Sequence, residues 1–228
     1  MKKLIFELES QELLAIKNRD PQMAKLISLI GGNSFDLKED RFSALIRSII
    51  GQQLSVKAAA TISSRFFNLI GNEVNPHTIE NFDDEAFRQV GISKQKIKYI
   101  RDLCLKASSN EIILSDLDEY SDTNVIETLT KIKGIGPWTA EMFLIFSLGR
   151  VNVLSLGDVG LQRACKWLYG FDNHIDNKDL LKERGKLWAP YCSIASLYLW
   201  NAIDYGFVDN FINIDEVITF KNLEGLSK

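Results

Sequence analysis

The sequence predicts an all-α protein, and three observations carry that prediction. Nearly every segment repeats its apolar residues at the 3.6-residue period of an amphipathic helix, between capping residues and glycines. No sustained apolar–polar alternation lies between turn clusters, so strand signals are poor. The connections are short, with no internal repeat or low-complexity linker, which favours close helix packing.

Taken in order, "KLIFEL" has the composition of a short strand, with no obvious partner to pair against. "DPQMAKLISLIGG" opens with Asp20 as a cap and Pro21 in the first turn, and stops at Gly31-Gly32. "DRFSALIRSII" places Phe42, Leu45, Ile46, Ile49 and Ile50 on one helical face. "SVKAAATISSRFFNLIG" runs from a Ser55 cap to Gly71, and "SKQKIKYIRDLCLKAS" repeats that grammar from Ser93. Helices follow in "TNVIETLTKIK", read as ending at Gly134, and in "PWTAEMFLIFSLG", "DVGLQRACKWLYG", "NKDLLKERGKLW" and "PYCSIASLYLWNAIDYG".

With 228 residues, 46% hydrophobic and 25% charged, the chain can build one substantial core or two small lobes. It lacks a run of about 18 apolar residues, so no membrane span is expected. "MKKLIFELES" has an apolar run broken by Glu7 and fits a secretory signal poorly, which makes a cytoplasmic protein the expectation. Cys104, Cys165 and Cys192 form no C-x-x-C pair, and His77 and His174 stand alone. These residues compose no zinc or iron–sulfur pattern, and the cysteines read as small buried hydrophobes. The net charge of -3 does not announce a nucleic-acid partner. Yet from Arg88 to Lys106 the bases Arg88, Lys94, Lys96, Lys98, Arg101 and Lys106 meet only Asp102. A DNA-facing stripe and a solvated helix face would look alike here.

The stretch "KIKGIGPWTAEMF" joins two helices through Gly134, Gly136, Pro137 and Trp138. Glycines allow positive φ and leave backbone N–H groups uncovered, and the following helix adds its positive end. Exposed amides at a helix start attract a phosphate; a tight helical corner with no ligand is the alternative. Asp158 in "LSLGDVGLQRA" precedes a helical run, so it reads as an N-cap.

"GIGPWTAEMFLIFSLGRVNVLSLGDVGLQRA" resembles the hairpin and catalytic segment of the helix-hairpin-helix (HhH-GPD) DNA glycosylase superfamily. Trp138 rather than lysine after the hairpin is similar to its inducible bacterial 3-methyladenine type (the AlkA type). "FSALIRSIIGQQLSVKAAATISSRF", "GISKQKIKYIRDLC" and "LWAPYCSIASLYLW" resemble three further family stretches, extending the likeness from about Asp40 to Trp200.

The resemblance implies two helical lobes flanking a catalytic cleft: residues 41–150 with a hairpin at 124–148, and residues 1–40 plus 151–228. A chain of this length, with helices from near its start, is not expected to hold the additional N-terminal α/β domain of the larger bacterial members. A monomer acting on duplex DNA is implied, associated with the nucleoid if the source is bacterial. It flips an alkylated purine, 3-methyladenine or 7-methylguanine, into a pocket and hydrolyses its bond to the sugar.

Asp158 matches the catalytic aspartate. A carboxylate held by backbone N–H groups favours its ionised form, suited to the positive charge that develops on the sugar. An alkylated base is already cationic and leaves without protonation, so one carboxylate suffices. Trp138, Met142 and Trp200 match base-pocket positions, where an aromatic wall favours a cation. Gln53 matches the residue that fills the gap left by the flipped base, and Gln52, Lys133, Gly134, Gly136 and Thr139 match DNA contacts.

No cofactor is required on this resemblance; the main-chain carbonyls of Thr130, Ile132 and Ile135 match those holding a monovalent cation. Trp138 in place of a Schiff-base lysine, with no four-cysteine cluster motif, implies hydrolysis without strand cleavage. Two departures stand out: Cys192 where the family usually has arginine, and Met142 where the larger bacterial enzyme has tyrosine. A glycosylase for a neutral oxidised or deaminated base is the alternative activity, and a non-catalytic DNA-binding module the alternative class.

Overall fold

The helix starts are set by local chemistry. In the computed structural model, which describes residues 2–71, 73–170 and 176–225, the side chains of Asp20, Asp40, Ser55, Ser93 and Asp158 each accept a first-turn N–H. Those caps satisfy donors that a helix cannot satisfy internally. His174 lies outside the described residues.

Contacts divide the chain into two units: Leu37–Leu148, and Lys2–Asp36 together with the chain from Gly149 onward. The second unit opens with β1 (Lys3–Phe6), α1 (Gln11–Arg19), α2 (Pro21–Ile30) and β2 (Asn33–Asp36). The first unit follows with α3 (Arg41–Gly51), α4 (Val56–Ile70), α5 (Pro76–Glu80), α6 (Asp84–Gln89) and α7 (Lys94–Ser108). A 3₁₀ turn (Leu114–Asp118), α8 (Asp122–Leu129) and α9 (Pro137–Phe146) complete it. The chain then returns to the second unit for α10 (Val159–Tyr169), α11 (Asn177–Trp188), α12 (Cys192–Asp204), α13 (Phe207–Asn210) and α14 (Ile214–Gly225).

Two elements differ from the sequence reading. β1 does have a partner: it pairs antiparallel with β2, Lys3 opposite Asp36 and Phe6 opposite Asn33. Four residues of "NSFD" are too short for alternation to register as a strand. Helix α8 stops at Leu129 rather than Gly134. Lys131 and Ile132 bond back three residues, to the carbonyls of Thr128 and Leu129, so the last stretch is a turn although its apolar spacing still looks helical.

In the first unit α3 packs on α4, α5 on α7, and α8 on α9, burying Leu45, Ile46, Ile49 and Ile50 of α3, with Phe42 half-buried. In the second, α10 packs on α11 and α12. A buried carboxylate ties that core together. Asp20 accepts the N–H groups of Gln22 and Met23 at 3.1 and 3.0 Å, the Trp188 indole N–H at 2.9 Å and the Tyr169 hydroxyl. All three cysteines are buried free thiols. Burial pushes Cys104 and Cys165 up to about 12 and Cys192 to about 11, which removes thiolate chemistry. Among the described residues no helix is long and apolar enough to cross a membrane.

Candidate active site and nucleic-acid interface

The hairpin joins α8 to α9 through residues 130–136. Gly134 has φ +82°, and a Cβ there would lie 2.1 Å from the Tyr99 ring, so both backbone geometry and the ring require glycine. Gly136 does not use the positive φ that glycine allows: it is extended (φ -97°, ψ 176°) and forms the N-cap of α9. It supplies no side-chain acceptor, and a Cβ there would meet nothing within 4 Å. The cap residue of α9 therefore contributes no side-chain acceptor to the first-turn amides, and the space beside it is open, surroundings suited to an anion.

Beneath the hairpin lies Asp102, which the sequence reading had taken only as a break in a basic run. Its carboxylate accepts the Lys133 N–H at 2.9 Å and pairs with the Lys133 ammonium at 3.2 Å. Burial acts against the ionised carboxylate, but the Lys133 bonds and the Lys133 and Lys106 charges prevail and hold its pKa below the usual range. The Lys133 side chain is largely exposed whereas Asp102 is buried, so an ammonium that turns toward a partner leaves the carboxylate held by the Lys133 main-chain N–H. Thr139 is 6% exposed, its side chain inside the first turn of α9.

Gln53 stands at the exposed tip after α3, in the left-handed region (φ +56°). A non-glycine residue held there stores about 1–3 kcal/mol of backbone strain, a feature that clusters at functional sites. Its neighbours Leu54 and Val56 are also exposed, a small apolar tip that the sequence reading passed over. Gln52 faces inward: its side-chain amide donates to the Gly134 carbonyl at 2.7 Å. The basic run is mostly engaged as well. Arg101 donates to the Ile79 and Phe82 carbonyls and pairs with Asp84, Arg88 pairs with Glu85 at 3.7 Å, and Lys106 pairs with Glu111. Lys94 and Lys98 remain exposed.

In the second unit Asp158 caps α10, its Oδ1 accepting the Leu161 N–H at 2.8 Å, and the residue is only 8% exposed. The chain leading to it is pinned at both ends. Ser193 at the start of α12 donates from Oγ to the Arg150 carbonyl at 2.7 Å and accepts the Val153 N–H at 2.8 Å. Gln162 holds the Leu156 carbonyl at 2.7 Å. Cys192 packs inside, its thiol against the Gly185 carbonyl at 3.4 Å, and its main-chain N–H donates to the Asn152 side-chain oxygen at 3.4 Å, beside the Ser193 bonds at the same junction.

The tryptophans separate into two kinds. Trp167 and Trp188 are core residues whose indole N–H groups are bonded, to the Phe211 carbonyl and to Asp20. Trp138 is 48% exposed at the start of α9, and Trp200 is half-buried on α12. Ile203, one turn after Trp200 on the same helix, faces the first turn of α10: a Cβ at Gly160 would lie 3.3 Å from it and 3.1 Å from the Asp158 carboxylate. Met142 lines a cavity of about 40 Å³ with Thr139, Phe146 and Lys38, room for water but not for a purine. Lys38 lies 5.6 Å from the centre of the Phe146 ring, its pKa lowered by burial and then by Arg47.

Among the described residues no group of three His, Cys, Asp or Glu side chains could hold a metal. The carbonyls of Thr130, Ile132 and Ile135 lie along the hairpin turn, where Ile132 accepts the Ile135 N–H at 3.0 Å. Each carbonyl oxygen has two lone pairs, and such hard donors fit a monovalent cation.

Residues 46–190 match the family described as HhH-GPD superfamily base excision DNA repair protein. A putative DNA-3-methyladenine glycosylase of Bacillus subtilis is 35% identical over 170 residues, 72% of this chain and 59% of that protein. This chain thus spans little over half of that relative's length. The DNA-3-methyladenine glycosylase 1 of Schizosaccharomyces pombe is 33% identical over 79% of this chain and 82% of its own. Among solved structures, a DNA-3-methyladenine glycosidase from Bacillus halodurans superposes with a TM-score of 0.85 at 44% identity, covering 95% of this chain and 99% of its own. A 3-methyladenine DNA glycosylase of Schizosaccharomyces pombe in complex with abasic DNA gives 0.75 at 31%, covering 85% and 96%.

Proposed function

The chain belongs to the HhH-GPD superfamily of base excision DNA repair proteins, and from that premise we propose that it is a monofunctional DNA glycosylase for alkylated purines in duplex DNA. One observation carries the reading: Asp158, which matches the family's catalytic aspartate by its sequence motif, is a buried carboxylate fixed by a backbone N–H on an anchored chain segment. Breaking the N-glycosidic bond builds positive charge on the sugar, which a preorganised anion stabilises most. The same carboxylate orients or activates the attacking water. A 3-methyladenine or 7-methylguanine already carries positive charge and departs without a proton from the protein.

The remaining residues take positioning and binding roles. The first turn of α9, with glycine at its cap, and the exposed Lys94, Lys98 and Lys133 side chains grip phosphates without reading sequence. Gln53 enters the stack where the base has left, while Trp138 in the first unit and Trp200 in the second each match a base-pocket position of the family and each offer an aromatic face suited to a cation. The carbonyls of Thr130, Ile132 and Ile135 would hold a monovalent cation that supplies positive charge at a phosphate. No cofactor takes part in the bond cleavage, and the monomer suffices. With Trp138 where a Schiff-base lysine would stand, water is the nucleophile, and the product is an intact strand with an abasic site.

Incubation with methylated duplex DNA, followed by chromatography of the released bases, tests this. Release of 3-methyladenine or 7-methylguanine is expected, with no protein–DNA adduct trapped by borohydride. Release of only a neutral oxidised or deaminated base would overturn the substrate assignment. No release of any base would leave a DNA-binding module, and a trapped adduct would overturn the hydrolytic mechanism.

A further inference from the structure

Helix α7 carries Lys96, Tyr99 and Asp102 at three-residue intervals, so the three share one face. Each reaches a different part of the interface just described. The Lys96 ammonium donates to the carbonyls of Ile50 at 2.8 Å and Gln52 at 2.7 Å, the carbonyls left open where α3 ends. Tyr99 covers Gly134, and Asp102 holds Lys133. Gln52 then closes the circuit, donating from its amide to the Gly134 carbonyl at 2.7 Å.

The Gln53 tip and the hairpin, some 80 positions apart in sequence, are thus joined through Gln52 and backed by one helix face. Two of the three Lys96 N–H groups are committed inside the protein, and burial lowers its pKa from the ordinary lysine value. Both facts suit a brace better than a phosphate contact.

We propose that Lys96 and Gln52 are positioning residues that lock the Gln53 tip to the hairpin, so that gripping phosphate and filling the stack are one rigid act; this rests on the glycosylase reading above. Without the lock the hairpin still holds phosphate, but the tip is no longer aimed. Recognition of a gap in the stack should then suffer while general binding persists.

Binding of Lys96→Met to a duplex with a stable abasic analogue and to an undamaged duplex, at several salt concentrations, tests this. Methionine keeps the aliphatic stem and removes the donors. The preference for the abasic duplex should fall about tenfold, the order of effect of losing charge-assisted hydrogen bonds. The salt slope should stay unchanged. A Lys96 that touched phosphate would weaken both duplexes together and lower the log–log slope by about 0.9. That outcome overturns the proposal, as does no change in either quantity.

Gln52→Met, at a half-buried position, is expected to give the same loss of preference with the same slope. It carries the test alone if Lys96→Met fails to fold. The double variant should lose no more than the worse single one, because both act through one network. An unaltered chain with no preference for the abasic duplex would instead sink the glycosylase reading, before any variant is made.

Discussion

The helices α9 and α10 begin alike and are finished differently. Each follows a glycine-containing turn, and each N-cap residue is extended: Gly136 at φ -97° and Asp158 at φ -78°. Both ends present first-turn amides with the positive end of the helix dipole behind them. At α10 the chain supplies its own anion, the Asp158 carboxylate, and buries it. At α9 the cap residue has no side chain, and the space around its missing Cβ is open. On the proposed reading one physical device is used twice, to hold an internal anion still and to receive an external one. A carboxylate clamped by an amide costs nothing to orient when charge develops beside it, whereas a helix start capped by glycine leaves room for an anion from outside.

The largest expected effect comes from removing the charge at α10. Asparagine keeps the size and the capping ability of Asp158, so Asp158→Asn should cost a few tenths of a kcal/mol in stability at most. Loss of the anion should slow release of alkylated base by about 10²–10³ or more. Single-turnover release measured beside a thermal melt and abasic-duplex binding separates these quantities. A folded Asp158→Asn protein that releases base at the parental rate would reduce Asp158 to a helix cap.

The second effect comes from making α9 resemble α10. Gly136→Asp has backbone and space for its side chain, and it should stabilise the helix by a few tenths of a kcal/mol. The same carboxylate fills the anion site and repels phosphate. Affinity for any duplex should fall about tenfold or more, and the salt slope should drop by about one. Gly136→Ala leaves the amides open and should bind nearly as the parent does. Equal loss in both variants would mean that bulk, not charge, is what the hairpin cannot accept.

These two helix ends were legible because caps are local. As caps, Asp20, Ser55, Ser93 and Asp158 accept N–H groups within three residues of themselves, a distance over which sequence spacing and spatial neighbourhood agree. What escaped was tertiary. Lys96 and Arg101 looked like members of a basic stripe, yet both donate to main-chain carbonyls, which carry no side-chain signature. Ser193 lay unremarked in a stretch read only as helix, and its bonds to the chain before Asp158 exist only once α12 is in place. β2 and the early end of α8 were missed for the opposite reason: each is decided by a few backbone bonds, too short a stretch for periodicity to speak.

The smallest effect, and the finest probe of the α10 end, lies at Gly160. Alanine there would improve intrinsic helix propensity by up to about 1 kcal/mol. Its Cβ would stand 3.1 Å from the Asp158 carboxylate and 3.3 Å from Ile203, closer than either neighbour accepts without moving by a few tenths of an ångström. Ile203 belongs to the packed α12 helix, so the carboxylate is the group freer to yield, by rotating about its own bond. The helix gain and the crowding oppose each other, and thermal stability should change little. Base release should slow by about three- to tenfold, because displacing a fixed anion from a developing charge costs rate steeply with distance. Binding to an abasic duplex should stay at the parental level, since the α9 end is untouched. If Gly160→Ala released base as fast as the parent, the chemistry would need the charge of Asp158 but not its exact placement, and the contrast between a clamped anion and an open helix end would lose its kinetic meaning.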